Sequence, residues 1–114
     1  SMRDKIPIAS SWDCLQLVFG RRSGITIEGD SMLPTLKTGD RVLIDKNSAI
    51  NVGDISVASQ PFRSSVKIVK RLAAIESDGR LFLSGDNPNE SSDSRAFGSV
   101  IRSNVIGKVV YRMT

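Results

Sequence analysis

The chain has 114 residues, a length that fits one domain, with 39% apolar and 25% charged residues, ordinary values for a globular protein. Its formal charge of +4 comes from 16 basic and 12 acidic residues with no block of like charge, so nucleic-acid binding is neither indicated nor excluded. Histidine is absent and Cys14 is the single cysteine, which removes His-based hydrolase triads, Cys-His pairs, His-ligated zinc, internal disulfides and Cys-rich metal sites.

An enzyme built from this chain must take its general base from Lys, Asp, Glu, Tyr or an amine. Aromatic residues are 5% of the total, so the core is expected to be aliphatic. No apolar run approaches the roughly 18 residues of a membrane span, and no secretory signal is visible, which points to the cytoplasm.

Residues 1–24 read as an N-terminal arm and a short amphipathic helix, and residues 25–114 as the main domain. Ser10 or Ser11 is placed to cap a helix through about Phe19, with Trp12, Leu15, Val18 and Phe19 on one face and Gly20 ending it. That face packs on the domain or docks on a membrane or substrate. After Gly24 the pattern becomes β. The expected strands are 25–28, 41–45, 54–59, 66–75, 80–84 and 105–112, rich in Val and Ile and punctuated by Gly-Asp or Asp-Gly turns. Short strands at this spacing predict a mostly β fold, a compact coiled antiparallel sheet or partly open barrel. Only 86–99 lacks strand character, and long polar loops in a compact domain tend to carry function.

Three features carry chemistry. In Val66-Lys67-Ile68-Val69-Lys70-Arg71-Leu72, strand alternation puts Lys70 on the face of Val66, Ile68 and Leu72. A buried ammonium loses hydration and is pushed toward its neutral form, which accepts a proton. Alternatively Lys70 snorkels to the sheet edge or pairs with a carboxylate. Lys67 and Arg71 read as ordinary solvated charges. In Glu28-Gly29-Asp30-Ser31-Met32-Leu33-Pro34, Ser31 sits on a turn constrained by Gly29 and Pro34. Such a turn presents a hydroxyl and aims backbone N–H groups at an oxyanion, or Ser31 merely caps the turn. The loop from Gly85 to Gly98 is dense in hydroxyls and carboxylates, and Asp93 and Arg95 are spaced to form an ion pair.

These features occur in a fixed order that resembles the signal peptidase I family of Ser-Lys proteases. Asp30-Ser31-Met32-Leu33-Pro34-Thr35-Leu36 is similar to its nucleophile box. Gly39-Asp40 and Gly53-Asp54-Ile55-Ser56-Val57 follow as its next elements, Val69-Lys70-Arg71 as its lysine box, and Gly85-Asp86-Asn87 through Gly98 as its last box. The resemblance implies the coiled, mostly β fold of that family, with Ser31 as nucleophile and Lys70 as general base and acid. Ser91 matches the hydroxyl that orients the lysine, and Asp93 and Arg95 match a structural ion pair. Gly29, Asp30, Met32 and Pro34 fall at oxyanion and substrate-binding positions. Where the family can carry a hydroxyl donor two residues before the nucleophile, this chain has Gly29. No metal or cofactor is implied.

Two departures narrow the expectation. No N-terminal membrane anchor is seen, and only the 14 residues Arg71 to Ser84 separate Lys70 from Gly85. The compact form is similar to the nickel superoxide dismutase maturation proteases of the short cyanobacterial type. That likeness implies removal of an N-terminal propeptide from a precursor protein, nickel superoxide dismutase, with peripheral membrane contact open. Competing expectations are general signal peptidase processing of secretory precursors and a non-catalytic β module that binds peptide. A self-cleaving repressor fragment requires a DNA-binding domain for which residues 1–24 are too short.

Overall fold

The computed structural model describes residues 22–90 and 92–113. Six strands occur in chain order: β1 (Arg22–Thr26), β2 (Arg41–Asp45), β3 (Ile55–Gln60), β4 (Arg63–Ile75), β5 (Leu81–Ser84) and β6 (Val105–Met113). A four-residue helix, α1 (Ser94–Phe97), and a 3-10 turn (Arg102–Asn104) precede β6. The strands form one antiparallel sheet in the order β1-β2-β6-β3-β4-β5. Among the described residues β1 and β5 are its edges and the sheet does not close into a barrel, which agrees with the expected mostly β, antiparallel architecture. The helix expected over 10–19 lies outside the described residues.

All six expected strands are present, and the differences are at their ends. The first was expected over 25–28, but β1 starts at Arg22 because the backbone ladder with β2 runs from Arg22 opposite Asp45 to Thr26 opposite Arg41. A ladder needs main-chain donors and acceptors rather than apolar side chains. Ile27 stays tied to the neighbouring turn: its N–H donates to the Asp40 carbonyl at 2.8 Å, and its carbonyl accepts from Gly39 at 2.9 Å. The turns before β2 and β3 share one chemistry. Gly39 and Gly53 have φ of +94° and +98°, a region closed to most side chains. The carboxylates of Asp40 and Asp54 accept main-chain N–H bonds from Lys37 (3.0 Å) and Asn51 (2.8 Å).

Alternation along β3 and β4 divides the core between the two sheet faces. Ile55, Val57 and Val69 belong to one cluster, with Ile27, Met32, Leu36, Val42, Ile44 and Val109. Ala58 and Leu72 belong to the other, with Leu81, Leu83 and Val100 and the partly buried Ile68 and Phe97. Among the described residues no aromatic is among the fully buried hydrophobics, in keeping with the composition. Met32 and Leu36 are 1% and 0% exposed. The turn that follows Ile27 is therefore pinned at two points, and the residue ahead of Met32 is held relative to the sheet.

Candidate active site

Ser31 is half-buried at the start of that pinned turn. The N–H of Leu33 donates to the Asp30 carbonyl at 3.2 Å and that of Leu36 to the Met32 carbonyl at 2.9 Å. The Leu33–Pro34 peptide bond is cis. Gly29 has φ of +85°, and its carbonyl accepts the Thr38 hydroxyl at 3.0 Å. The loop after β5 closes on the turn from the other side. The Asn87 N–H donates to the Ser31 carbonyl at 2.9 Å, and the Asn87 side-chain amide to the Asp30 carbonyl at 3.0 Å. A Cβ at Gly85 would stand 2.6 Å from the Ser31 carbonyl oxygen, so only glycine permits this approach.

Lys70 is 4% exposed. It lies opposite Ser56 in the β3–β4 ladder, which puts both side chains on one face. Ser56 is itself buried and donates its hydroxyl to the Lys70 carbonyl at 3.3 Å. Burial holds the Lys70 amine below the ordinary lysine value, against the pull of Asp93 and Glu90 in the opposite direction, and Arg95 adds to the lowering. Among the described residues no carboxylate comes within salt-bridge distance of Lys70. This is the environment in which an amine gives up its proton nearer neutrality.

Ser31 and Lys70 line the same cleft, with a volume of about 570 Å³. One wall is Ile25–Glu28, and the other is the stretch Ser65–Lys70 of β4. Met32 also contributes to the lining. Pro34 does not: it lines a separate depression with Thr35, Lys37, Asp40, Arg112 and Met113. Gly29 and Asp30 shape the turn without lining the cleft. Ser91 lies outside the described residues.

The expected Asp93–Arg95 pair is formed. Arg95 Nε donates to Asp93 Oδ1 at 3.0 Å and Nη2 to Oδ2 at 2.8 Å. Asp93, fully buried, also caps α1 through the Arg95 main-chain N–H and accepts the Gly85 N–H at 2.8 Å. Burial alone would raise its carboxyl, but the hydrogen bonds from Arg95 and Gly85 bring it down to about 2. Through Gly85, Asp93 fixes the glycine that packs on Ser31.

Arg71 corrects an expectation. It is no solvated charge but a partly buried clamp, 17% exposed, whose Nε and Nη2 grip Asp86 while Nη1 donates to the Gly53 carbonyl at 2.7 Å. Asp86 also accepts the Thr35 hydroxyl at 2.6 Å. Burial favours the neutral acid, yet the bonds from Arg71 and Thr35 hold the Asp86 carboxyl below the usual range. The three segments that carry Ser31, Lys70 and the last loop thus meet at one carboxylate. Sequence reasoning missed Arg71, Asp86, Thr35 and Ser56. The one signal was their position inside motifs already singled out.

Comparison with known proteins follows the same line. Residues 3–110 match the model of the Peptidase S24-like family. Mitochondrial inner membrane protease subunit 1 of Xenopus tropicalis is 32% identical over 112 positions, covering 78% of this chain and 67% of that protein. Mitochondrial ATP-independent inner membrane protease subunit 1a of Arabidopsis thaliana is 30% identical over 138 positions, covering 96% of this chain and 82% of that protein. A probable signal peptidase I-1 of Synechocystis is 29% identical, covering 75% and 68%. The sheet and these matches define a serine peptidase of the signal peptidase-like kind. The chain belongs to the Peptidase S24-like family.

Proposed function

We propose that this protein is a serine endopeptidase in which Ser31 is the nucleophile and Lys70 the general base and acid. The observation that carries the reading is a half-buried serine and a buried lysine on one cleft, in a chain without histidine. Neutral Lys70 takes the Ser31 proton as Oγ attacks the scissile carbonyl. The oxyanion is met by main-chain N–H groups of the turn. The Ser31 N–H serves here, having no acceptor among the described residues. Lys70 returns the proton to the leaving amine, then activates water to release the acyl group and free Ser31. Ser91 orients the lysine in this scheme.

The substrate enters as an extended strand. β1 pairs only with β2, and the part of β4 ahead of Arg71 has no strand partner on the side away from β3 among the described residues. These two unpaired edges flank the cleft, so a peptide between them finds main-chain partners on both sides.

The substrate in this reading is a precursor protein in the cytoplasm, nickel superoxide dismutase, from which an N-terminal propeptide is removed. Its support is the short connection from Lys70 to Gly85 and the likeness of residues 29–36 and 85–98 to the compact maturation proteases. A second reading, cleavage of secretory precursors, is favoured by the likeness to the Synechocystis protein. One experiment separates them. The protein is incubated with each purified precursor, and new N-termini are mapped by mass spectrometry. Cleavage of the dismutase precursor alone, lost in Ser31→Ala, supports the first reading. Cleavage of the secretory precursor alone supports the second. Failure of a serine-reactive peptide mimic to label wild-type protein rejects both in favour of a binding module.

A further inference from the structure

β4 carries more than the lysine. With Lys70 on one face, alternation puts Ile68 and Val66 on the same face at successive steps away from it. Ile68 is packed against the second core cluster, but Val66 is 43% exposed, contrary to its expected place on a covered face. The reason is geometric: toward the β3–β4 hairpin the strand runs past the layer that would cover it. Around this point lies a depression of about 490 Å³ lined by Phe62, Val66, Ile68, Ala96 and Phe97, with Gln60, Arg63 and Ser92 at its polar margin.

Phe62 at the hairpin tip is 77% exposed. Its backbone is nonetheless held: the Gln60 side-chain oxygen accepts the N–H groups of both Phe62 and Arg63 at 2.6 Å. A scattered exposed apolar residue needs no explanation, but a cluster around one hollow on a braced turn does. Val66 and Ile68 line both this depression and the cleft that holds Ser31 and Lys70. The two hollows therefore adjoin along β4 at these two residues.

We infer that this depression is a specificity subsite for the peptide substrate, receiving a bulky apolar side chain set apart from the scissile bond. The inference rests on the cleft being the substrate channel. Val66 is four residues from Lys70, about 13 Å along a strand. A peptide pairing with the same edge therefore offers its fourth to sixth residue from the cut to the depression. The chemical class of substrate is a chain extended over this stretch and carrying a Leu-, Ile- or Phe-sized group at that remove.

The test uses synthetic Ala/Ser peptides with a single Leu moved one position at a time. Affinity for the Ser31→Ala protein is read by fluorescence anisotropy, and cut sites in wild type are mapped by mass. The Leu peptide should bind about tenfold tighter than its Leu-free parent. Phe62→Ser and Val66→Ser should abolish that gain, whereas Ile101→Ser, at an exposed residue that lines neither hollow, should not. Wild type should cut about four to six residues from the Leu. Equal binding with and without Leu, a gain that survives Phe62→Ser, or cuts unrelated to the Leu position overturns the subsite. Leu-dependent binding without any cleavage would instead reject the catalytic reading and show an apolar docking groove that serves no proteolysis.

Discussion

Arg71 holds Asp86 by two parallel bonds, Nε to Oδ1 at 2.9 Å and Nη2 to Oδ2 at 2.7 Å. Arg71 adjoins Lys70 in β4, and Asp86 stands between Gly85 and Asn87, the two residues that touch the Ser31 backbone. The fork therefore sets how far the lysine strand stands from the serine turn. Asp86→Asn keeps the shape and removes the charge from the pair. It should cost about 1.5–3 kcal/mol of stability, the range for a hydrogen bond to a charged group. Cleavage should fall mainly in kcat, because the reacting groups lose alignment while the cleft walls persist. Urea denaturation and steady-state kinetics on one preparation check both.

Burial lowers the Lys70 pKa, and in the proposed mechanism the neutral amine is the working form. Cleavage should rise with pH and level off below 10.5, where an ordinary lysine titrates. The same shift acts on stability. Between the lowered folded value and the unfolded one, the unfolded chain holds more protons, so stability should increase with pH across that window. Lys70→Met should reduce cleavage by about 10²–10⁴-fold. It should also flatten this alkaline slope in urea denaturation.

Asp93 gives the opposite limb. Its carboxyl is brought down to about 2 from 3.8, so its contribution is present above about pH 4 and disappears as pH falls through about 2. The shift corresponds to about 2 kcal/mol at neutral pH. Asp93→Asn should lose that amount and make acid unfolding shallower, measured by circular dichroism between neutral and acid pH.

Gly85→Ala places a methyl 2.6 Å from the Ser31 carbonyl oxygen, and the obstructing atom is backbone. The turn must move, at a cost of about 1–3 kcal/mol. Labelling by a serine-reactive peptide mimic should slow far more than stability falls, since the displaced atoms belong to Ser31, the proposed nucleophile.

The strands were legible because most are Val- or Ile-containing runs and Gly-Asp or Asp-Gly turns punctuate the chain between several of them. Lys70 was legible because period-two alternation marks a charge among Val66, Ile68 and Leu72. Asp93 and Arg95 were legible because two residues of separation lets one side chain reach the other. Arg71 was not, since its partner lies 15 residues away and no local pattern announces it. Nor was the exposure of Val66, which depends on where the second layer of the domain stops. Pro34 belongs to the motif but lines another surface, because the turn folds it away from the cleft. The open sheet was undecided because edge closure depends on long-range strand placement rather than on any single strand's pattern.

Among the described residues, two lone edges, β1 on one wall and the early part of β4 on the other, leave the sheet a stave short between them. In the proposed docking mode, a guest that fills the gap must arrive with its own amide groups unspent. A helix or a settled strand has already committed them, so such a segment must unravel before it can be cut. Selection in that mode would act on slackness as much as on side chains: tails and linkers would be within reach, and the folded body of the same protein would be spared.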